Sequence, residues 1–219
     1  MGKVTFFIFV LVFCCLITSN AQATLLTLST HASNGTGAPT YDLLDATVGF
    51  SVLGDVLDVM VTNQTGQNGD PAFVIDSIYF NADQTISDLT LFGVISPDPA
   101  AFAQWSKDTD YSQNGFTVDG FGDFDTKITD GGQHVISAGE TYTFRFTISG
   151  TTGPYSDIDF SSVLSDTSQN GDPMFVAAHF AQGPGGTGGY GATNVPEPAT
   201  ICLLSIGAFG LLRSRRIKL

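Results

Sequence analysis

The chain has 219 residues and a formal net charge of −13 at pH 7, from 21 acidic and eight basic side chains. Between residues 24 and 194 the imbalance grows, since three cations stand against twenty carboxylates. Nucleic acid and anionic membrane surfaces would repel such a segment, so neither is an expected partner of it.

The first 23 residues predict a secretory signal peptide. Lys3 precedes an apolar run from Val4 to Ile17, and small residues stand at Ala21 and Ala23, as a signal-peptidase site requires. The expected partners at this end are the Sec translocon and signal peptidase. The three cysteines lie within the first 23 residues or in the last 26, so the segment between them carries no disulfide or thiol chemistry.

Alternating apolar and polar residues predict about nine short strands and no convincing helix. Gly54 and Asp55 separate two such runs and predict a hairpin. The clearest strand is Thr141–Ser149, because Tyr142 and every second residue after it are apolar. Eight of them can be placed, at residues 24–30, 47–52, 57–61, 73–80, 89–95, 124–129, 141–149 and 174–181. The sequence therefore predicts an all-β chain with a single antiparallel β-sandwich over residues 24–182, with a jelly roll as one option for its topology.

A Gly-rich stretch follows the last predicted strand and predicts a flexible linker over residues 183–194. Gly183 to Gly188 also fits the spacing of a dinucleotide-binding fingerprint. No strand–helix unit surrounds it, so we interpret it as linker composition.

A ten-residue motif occurs twice. Residues 65–74 read TGQNGDPAFV and residues 167–176 read TSQNGDPMFV. The motif fits tight turns that lead into a strand. Alternatively, Asp70 and Asp172 sit on paired loops at one edge and share a ligand, either a calcium ion or a sugar hydroxyl.

Calcium is the metal that this composition favours, because it prefers oxygen ligands. Asp119, Asp123 and Asp125 are grouped around Phe121 and Gly122, and they are either calcium ligands or solvated turn residues. The three histidines are isolated in sequence and predict no zinc site. No cofactor is expected, with calcium as the alternative.

Catalytic motifs are not evident in this sequence. It contains no Gly-x-Ser-x-Gly elbow, and no pair of carboxylates is marked out for glycoside hydrolysis. We therefore expect a non-enzymatic protein, with a hydrolase as the weaker hypothesis. A carbohydrate-binding module is the other alternative, with Trp105, Tyr111 or Tyr190 stacking on sugar rings.

The C-terminal tail from residue 195 has three parts. A rigid Pro-Glu-Pro segment comes first, because each proline fixes its own φ and restricts the residue before it. Residues 199–212 carry no charge and predict a transmembrane helix of about 21 Å, short for a hydrocarbon core of roughly 30 Å. A basic cluster then stops the span and places the C-terminus in the cytoplasm. The residues of the first and third parts are Val195, Pro196, Glu197 and Pro198, and Arg213, Arg215 and Arg216.

This three-part order resembles the PEP-CTERM sorting signal, also known as an ice-binding-protein C-terminal motif. The resemblance implies handling by exosortase, a membrane-embedded cysteine protease of Gram-negative bacteria that make exopolysaccharide. It implies an inner-membrane intermediate, followed by display at the cell surface or release into the extracellular matrix of a biofilm. The expected protein is then a non-catalytic surface or matrix component, and the alternative is a lectin-like or calcium-binding β-sandwich module.

Overall fold

The computed structural model describes residues 24–28, 30–33, 44–67, 70–109, 115–131, 134–151, 153–183 and 188–193. The predicted signal peptide at residues 1–23 and the predicted sorting tail at residues 195–219 lie outside them. No helix within the described ranges has the length and apolar character needed to cross a membrane. The predicted transmembrane helix at residues 199–212 falls outside those ranges.

Strands are the main secondary structure of the described part of the chain. In chain order these are β1 (Thr24–Thr27), β2 (Thr30–Ser33), β3 (Ala46–Leu53), β4 (Val56–Asn63), β5 (Val74–Phe80), β6 (Ile86–Ile95), β7 (Trp105–Thr109), β8 (Phe116–Val118), β9 (Phe121–Phe124), β10 (Thr126–Asp130), β11 (Thr141–Gly150), β12 (Asp166–Gly171), β13 (Val176–Ala181) and β14 (Gly189–Thr193). A 3₁₀ turn covers Ala101–Ala103, and a short helix, α1, covers Ile158–Ser161. The prediction of an all-β fold is confirmed.

The strands form three antiparallel sheets. The front sheet has the order β1-β3-β4-β11-β6, and the back sheet has the order β2-β14-β13-β5-β10-β7. A cap sheet has the order β12-β9-β8. Every pairing between these strands is antiparallel.

The main core lies between the front and back sheets and makes them a β-sandwich. Strand β11 follows the predicted alternation, since Tyr142, Phe144, Phe146 and Ile148 are all buried while the residues between them are half-buried. Phenylalanines from both sheets and from α1 meet in this core. Burying each such side chain contributes about 1.5–3 kcal/mol relative to leaving it in water.

The predicted hairpin at Gly54 is also present. Leu53 pairs with Val56, and Gly54 between them has a φ of +67°. A residue with a Cβ rarely adopts that conformation, which explains the glycine at this position.

The cap sheet covers the outer face of the back sheet and creates a second core. Phe121 and Phe124 of β9 pack there with Met174 against Ala177 and Tyr79 of the back sheet. The molecule therefore has three layers where the sequence predicts a single sandwich. The cap strands were missed because they are three to six residues long and lack clear alternation.

The flexible linker predicted for residues 183–194 is wrong for its second half. Residues 189–193 form β14, which lies inside the back sheet between β2 and β13. Its sequence, Gly-Tyr-Gly-Ala-Thr, has no hydrophobic period. Ladder hydrogen bonds to two neighbouring strands therefore override its weak intrinsic preference for a strand.

Candidate functional site: an acidic cavity under the cap sheet

The two copies of the repeated motif lie at opposite ends of the back sheet. Asp70 stands four residues before β5, and Asp172 stands four residues before β13. These strands are antiparallel neighbours, with Ala181 opposite Val74 and Val176 opposite Phe80. Seven residues of strand separate the two ends by roughly 20 Å. The prediction that Asp70 and Asp172 share a ligand is therefore wrong.

The first copy of the motif has a structural role in closing its own loop. The Thr65 hydroxyl accepts from the Phe73 N–H (3.1 Å) and donates to Asn63 Oδ1 (2.7 Å). Near the second copy, the Ser165 hydroxyl accepts from the Met174 N–H (3.0 Å) and donates to the Phe121 carbonyl (2.6 Å). Hydrogen bonds of the Thr65 and Ser165 hydroxyls thus stabilise both loops.

The three aspartates predicted as one calcium group are divided by the structure. Asp119 is exposed in the turn between β8 and β9, and the Asp172 N–H donates to the neighbouring Gly120 carbonyl (3.1 Å). Asp123 and Asp125 lie further along, and both line a cavity at the other end of the hairpin. Asp119 is thus a solvated turn residue, which was the alternative prediction, whereas Asp123 and Asp125 line one cavity.

This cavity, the acidic cavity, has a volume of about 590 Å³. It lies where β5 ends and where β9 of the cap sheet passes over it. Asn81 and Asp83 follow β5, Asp125 follows β9, and Asp166 begins β12 opposite Asp123. Four carboxylates and the two carboxamides of Asn81 and Gln84 therefore line a single cavity. Ser87 and the apolar side chains of Ile86, Val163 and Leu164 line it as well.

Asp123 and Asn81 are the buried polar side chains of the acidic cavity. Asp123 is 5% exposed, and neither of its carboxylate oxygens has a hydrogen-bond partner. Asn81 is 2% exposed, and its Oδ1 accepts from the Asp125 N–H (2.7 Å) while its Nδ2 has no partner. Buried polar atoms are nearly always paired in native proteins, so two adjoining exceptions point to a ligand.

Two glycines allow the cap sheet to approach closely at the acidic cavity. Gly122 has a φ of +82°, and a Cβ there would overlap the Asp166 carbonyl oxygen. Gly115 has a φ of +33°, and a Cβ there would lie 2.7 Å from the Phe124 carbonyl oxygen. These close contacts fix Asp123 opposite Asp166 in the pairing of β9 with β12.

Four acidic side chains line the acidic cavity, whereas the three basic side chains of the body, residues 24–194, lie elsewhere. The Thr85 N–H donates to Asp83 Oδ1 (2.9 Å) and lowers the pKa of that carboxyl. Lys107 Nζ lies 3.0 Å from Asp88 and Arg145 Nε lies 3.0 Å from Asp58. The remaining cation of residues 24–194, Lys127, lies 5.6 Å from the centroid of the Tyr79 ring. None of the three lines the cavity.

The site residues that sequence reasoning missed are Asn81, Asp83 and Asp166. One signal was available, because Asn81 and Asp83 directly follow the predicted strand 73–80. The packing of the cap sheet over that end had no signal in the sequence. Within the described residues, no three His, Cys, Asp or Glu side chains are already arranged to hold a metal ion.

Of the aromatic residues predicted to stack on sugars, Trp105 is buried and Tyr190 is half-buried. Trp105 is 4% exposed, packs on Phe144 and Tyr142, and donates through Nε1 to the His134 carbonyl (2.8 Å), so its predicted role is wrong. Tyr190 is half-buried against Tyr79 and His179. Tyr111 lies outside the described residues.

The predicted sorting residues Val195 to Pro198 and the basic residues Arg213, Arg215 and Arg216 also lie outside the described residues. No curated protein and no solved structure matches the chain. The PEP-CTERM protein-sorting motif, however, matches residues 194–216 as a family model. The resemblance in the tail is thus confirmed, and the chain carries a PEP-CTERM protein-sorting motif directly after its β-sandwich body.

Proposed function

We propose that the protein is a non-catalytic component of the cell surface or extracellular matrix, exported through the Sec translocon and processed by exosortase. The observation that carries the proposal is the PEP-CTERM motif at residues 194–216, which indicates an exported protein targeted to exosortase. The association with exopolysaccharide and biofilm, and a Gram-negative host, are part of the proposal.

The chemistry of the tail supports this order of events. The two prolines, Pro196 and Pro198, would favour an extended backbone, and an extended segment is the form in which a protease binds its substrate. The uncharged stretch 199–212 would hold the chain in the inner membrane. Arg213, Arg215 and Arg216 would keep the C-terminus in the cytoplasm, which leaves the body outside.

The charge of the body is consistent with a matrix location. A formal charge of −17 over residues 24–194 disfavours contact with anionic lipid headgroups once the tail has been removed. Release into a hydrated polysaccharide matrix, or display on it, satisfies that constraint.

Mass spectrometry of the protein from an exosortase-competent host and from an exosortase-deficient strain tests the proposal. We expect the competent host to place a form lacking residues 1–23 and the end of the tail at the surface or in the matrix. The deficient strain should keep the tail intact in the membrane fraction. A substitution of Glu197→Ala should reproduce the deficient phenotype, whereas Glu140→Ala should not. Recovery of the full chain from the cytosol with Met1 and Leu219 in place would contradict the proposal.

A further inference from the structure

We propose that the acidic cavity binds a calcium ion and that Asp123 is its buried ligand. This inference does not depend on the sorting of the protein. It follows from three features of the described residues: an unpaired buried carboxylate, three further carboxylates on the same cavity, and a lining without thiol or imidazole groups.

The unpaired carboxylate is the first feature. A carboxylate removed from water without hydrogen bonds or a counter-charge is strongly destabilising. Asp123 is 5% exposed and makes no hydrogen bond through either oxygen. Its backbone pairs with Asp166 on one side and with Thr117 on the other. A bound cation would compensate the buried charge.

The surrounding charge is the second feature. Asp83, Asp125 and Asp166 line the same cavity as Asp123, and no cation of the body lines it. Like charges on one cavity favour the binding of a positive ion there. A divalent ion supplies the most positive charge in the smallest volume.

The donor chemistry is the third feature and selects the ion. The side chains that line the cavity offer carboxylate, carboxamide and hydroxyl oxygens, which calcium prefers, and no thiol or imidazole, which zinc prefers. His134 and His179 are paired instead with Asp98 and Asp76, away from this cavity. Calcium also accepts irregular shells of six to eight oxygens, whereas magnesium demands a near-ideal octahedron.

The affinity should be modest. No three carboxylates among the described residues are already arranged around a metal position, so water and carbonyl oxygens would complete the shell. Calcium sites of extracellular modules commonly have dissociation constants of about 10⁻⁴–10⁻³ M. We expect the acidic cavity to fall in that range.

The test is thermal unfolding of the full chain in detergent, with EGTA or with about 10 mM calcium chloride as the probe. Calcium should raise the Tm by roughly 3–10 °C, the shift expected for that affinity in a domain of this size. Magnesium chloride should raise it less. In Asp123→Asn the calcium response should vanish, and the Tm in EGTA should rise by roughly 2–4 °C because an unpaired buried charge has been removed.

Asp119→Asn is the matched control, since Asp119 lies in the same hairpin but outside the acidic cavity. It should keep the full calcium response. No shift in the wild type, an equal shift in Asp123→Asn, or a complete loss of response in Asp119→Asn would each overturn the proposal. If Asp123→Asn fails to fold, equilibrium dialysis of calcium against the wild type and Asp125→Asn decides. One ion bound by the wild type and weakened binding by the variant support the site, and no bound ion refutes it.

Discussion

Two buried asparagines, one at the end of β4 and one just after β5, differ in how fully their side chains are hydrogen-bonded. Asn63 ends β4 and is fully buried. Its Nδ2 donates to the carbonyls of Phe73 and Ile136 at 2.9 Å each, and its Oδ1 accepts from the N–H and the hydroxyl of Thr65. The hydrogen-bonding capacity of the Asn63 amide is therefore filled by the protein itself.

Asn81, just after β5, has nearly the same burial and the opposite outcome. One hydrogen bond, from the Asp125 N–H, satisfies its Oδ1, while its Nδ2 and both oxygens of nearby Asp123 have no partner. The hydrogen bonds of Asn63 stabilise the fold, whereas the unpaired polar atoms of Asn81 and Asp123 destabilise it. Unpaired buried groups persist in native proteins mainly at sites that act on something else.

The largest expected effect comes from removing the satisfied amide. Asn63→Ala should lower the free energy of unfolding by about 3 kcal/mol, because it leaves several buried backbone groups unpaired. The Tm should fall by roughly 6–12 °C in a domain of this size. Asn81→Ala is the matched variant and should cost about 1 kcal/mol, since it removes one hydrogen bond. Equal losses in the two variants would contradict the difference between the regions.

A second prediction concerns the backbone that positions Asp123. Gly122→Ala should cost about 2 kcal/mol, because the new Cβ would overlap the Asp166 carbonyl oxygen at a positive φ. Chemical denaturation measures the loss. Gly131→Ala is the control, because nothing lies within 4 Å of a Cβ at that position, and it should change stability by less than about 0.5 kcal/mol. A neutral Gly122→Ala would show that the cap sheet can shift away from the cavity.

A third prediction tests a buried group that is polar but neutral. Burial raises the pKa of Tyr79, and neighbouring Tyr190 raises it further. Because the folded state favours the neutral phenol, this stabilisation is complete below the ordinary pKa of 10 and is lost as the pH rises above it. The Tm should therefore fall above pH 10. The absorbance of the Tyr79 tyrosinate should appear at a higher pH than that of an ordinary tyrosine. Tyr79→Phe should flatten that fall, and an unchanged slope would argue against Tyr79 as its source.

The smallest effect is expected at an exposed ion pair. Arg145 and Asp58 are partly exposed on the front sheet, so Asp58→Asn should change stability by less than about 1 kcal/mol, and toward destabilisation. This variant removes one negative charge, as Asp123→Asn does. If Asp58→Asn raised the Tm as much as Asp123→Asn, relief of the overall charge would explain both results and burial would explain neither.

Local pattern was enough to predict much of the sandwich. The alternation of Tyr142 to Ile148 identified a central strand, and Gly54 identified a hairpin. Strands β7, β8, β12 and β14 carry no such pattern. They form because hydrogen bonds and contacts from neighbouring strands stabilise them. Hydrophobic periodicity therefore could not predict the cap sheet.

The candidate site was predictable only in part for the same reason. Asp123 and Asp125 are close in sequence, so their grouping could be proposed from composition. Asn81 and Asp166 reach the same cavity through pairing between distant strands. The repeated motif led to the wrong prediction of a shared ligand for a related reason, because similar turns can lie at opposite ends of an antiparallel sheet.

The position of β14 sets a condition on when the tail can be cut. Thr193 is 1% exposed, pairs with Val176, and is only three residues before Pro196. An extended chain covers at most about 3.6 Å per residue, so the Pro-Glu-Pro segment begins within roughly 11 Å of the sheet. A membrane protease acting there must either dock against the finished body or cut before β14 joins the sheet. If exosortase cuts the tail as proposed above, its access to the Pro-Glu-Pro segment therefore depends on whether β14 has already paired with β13.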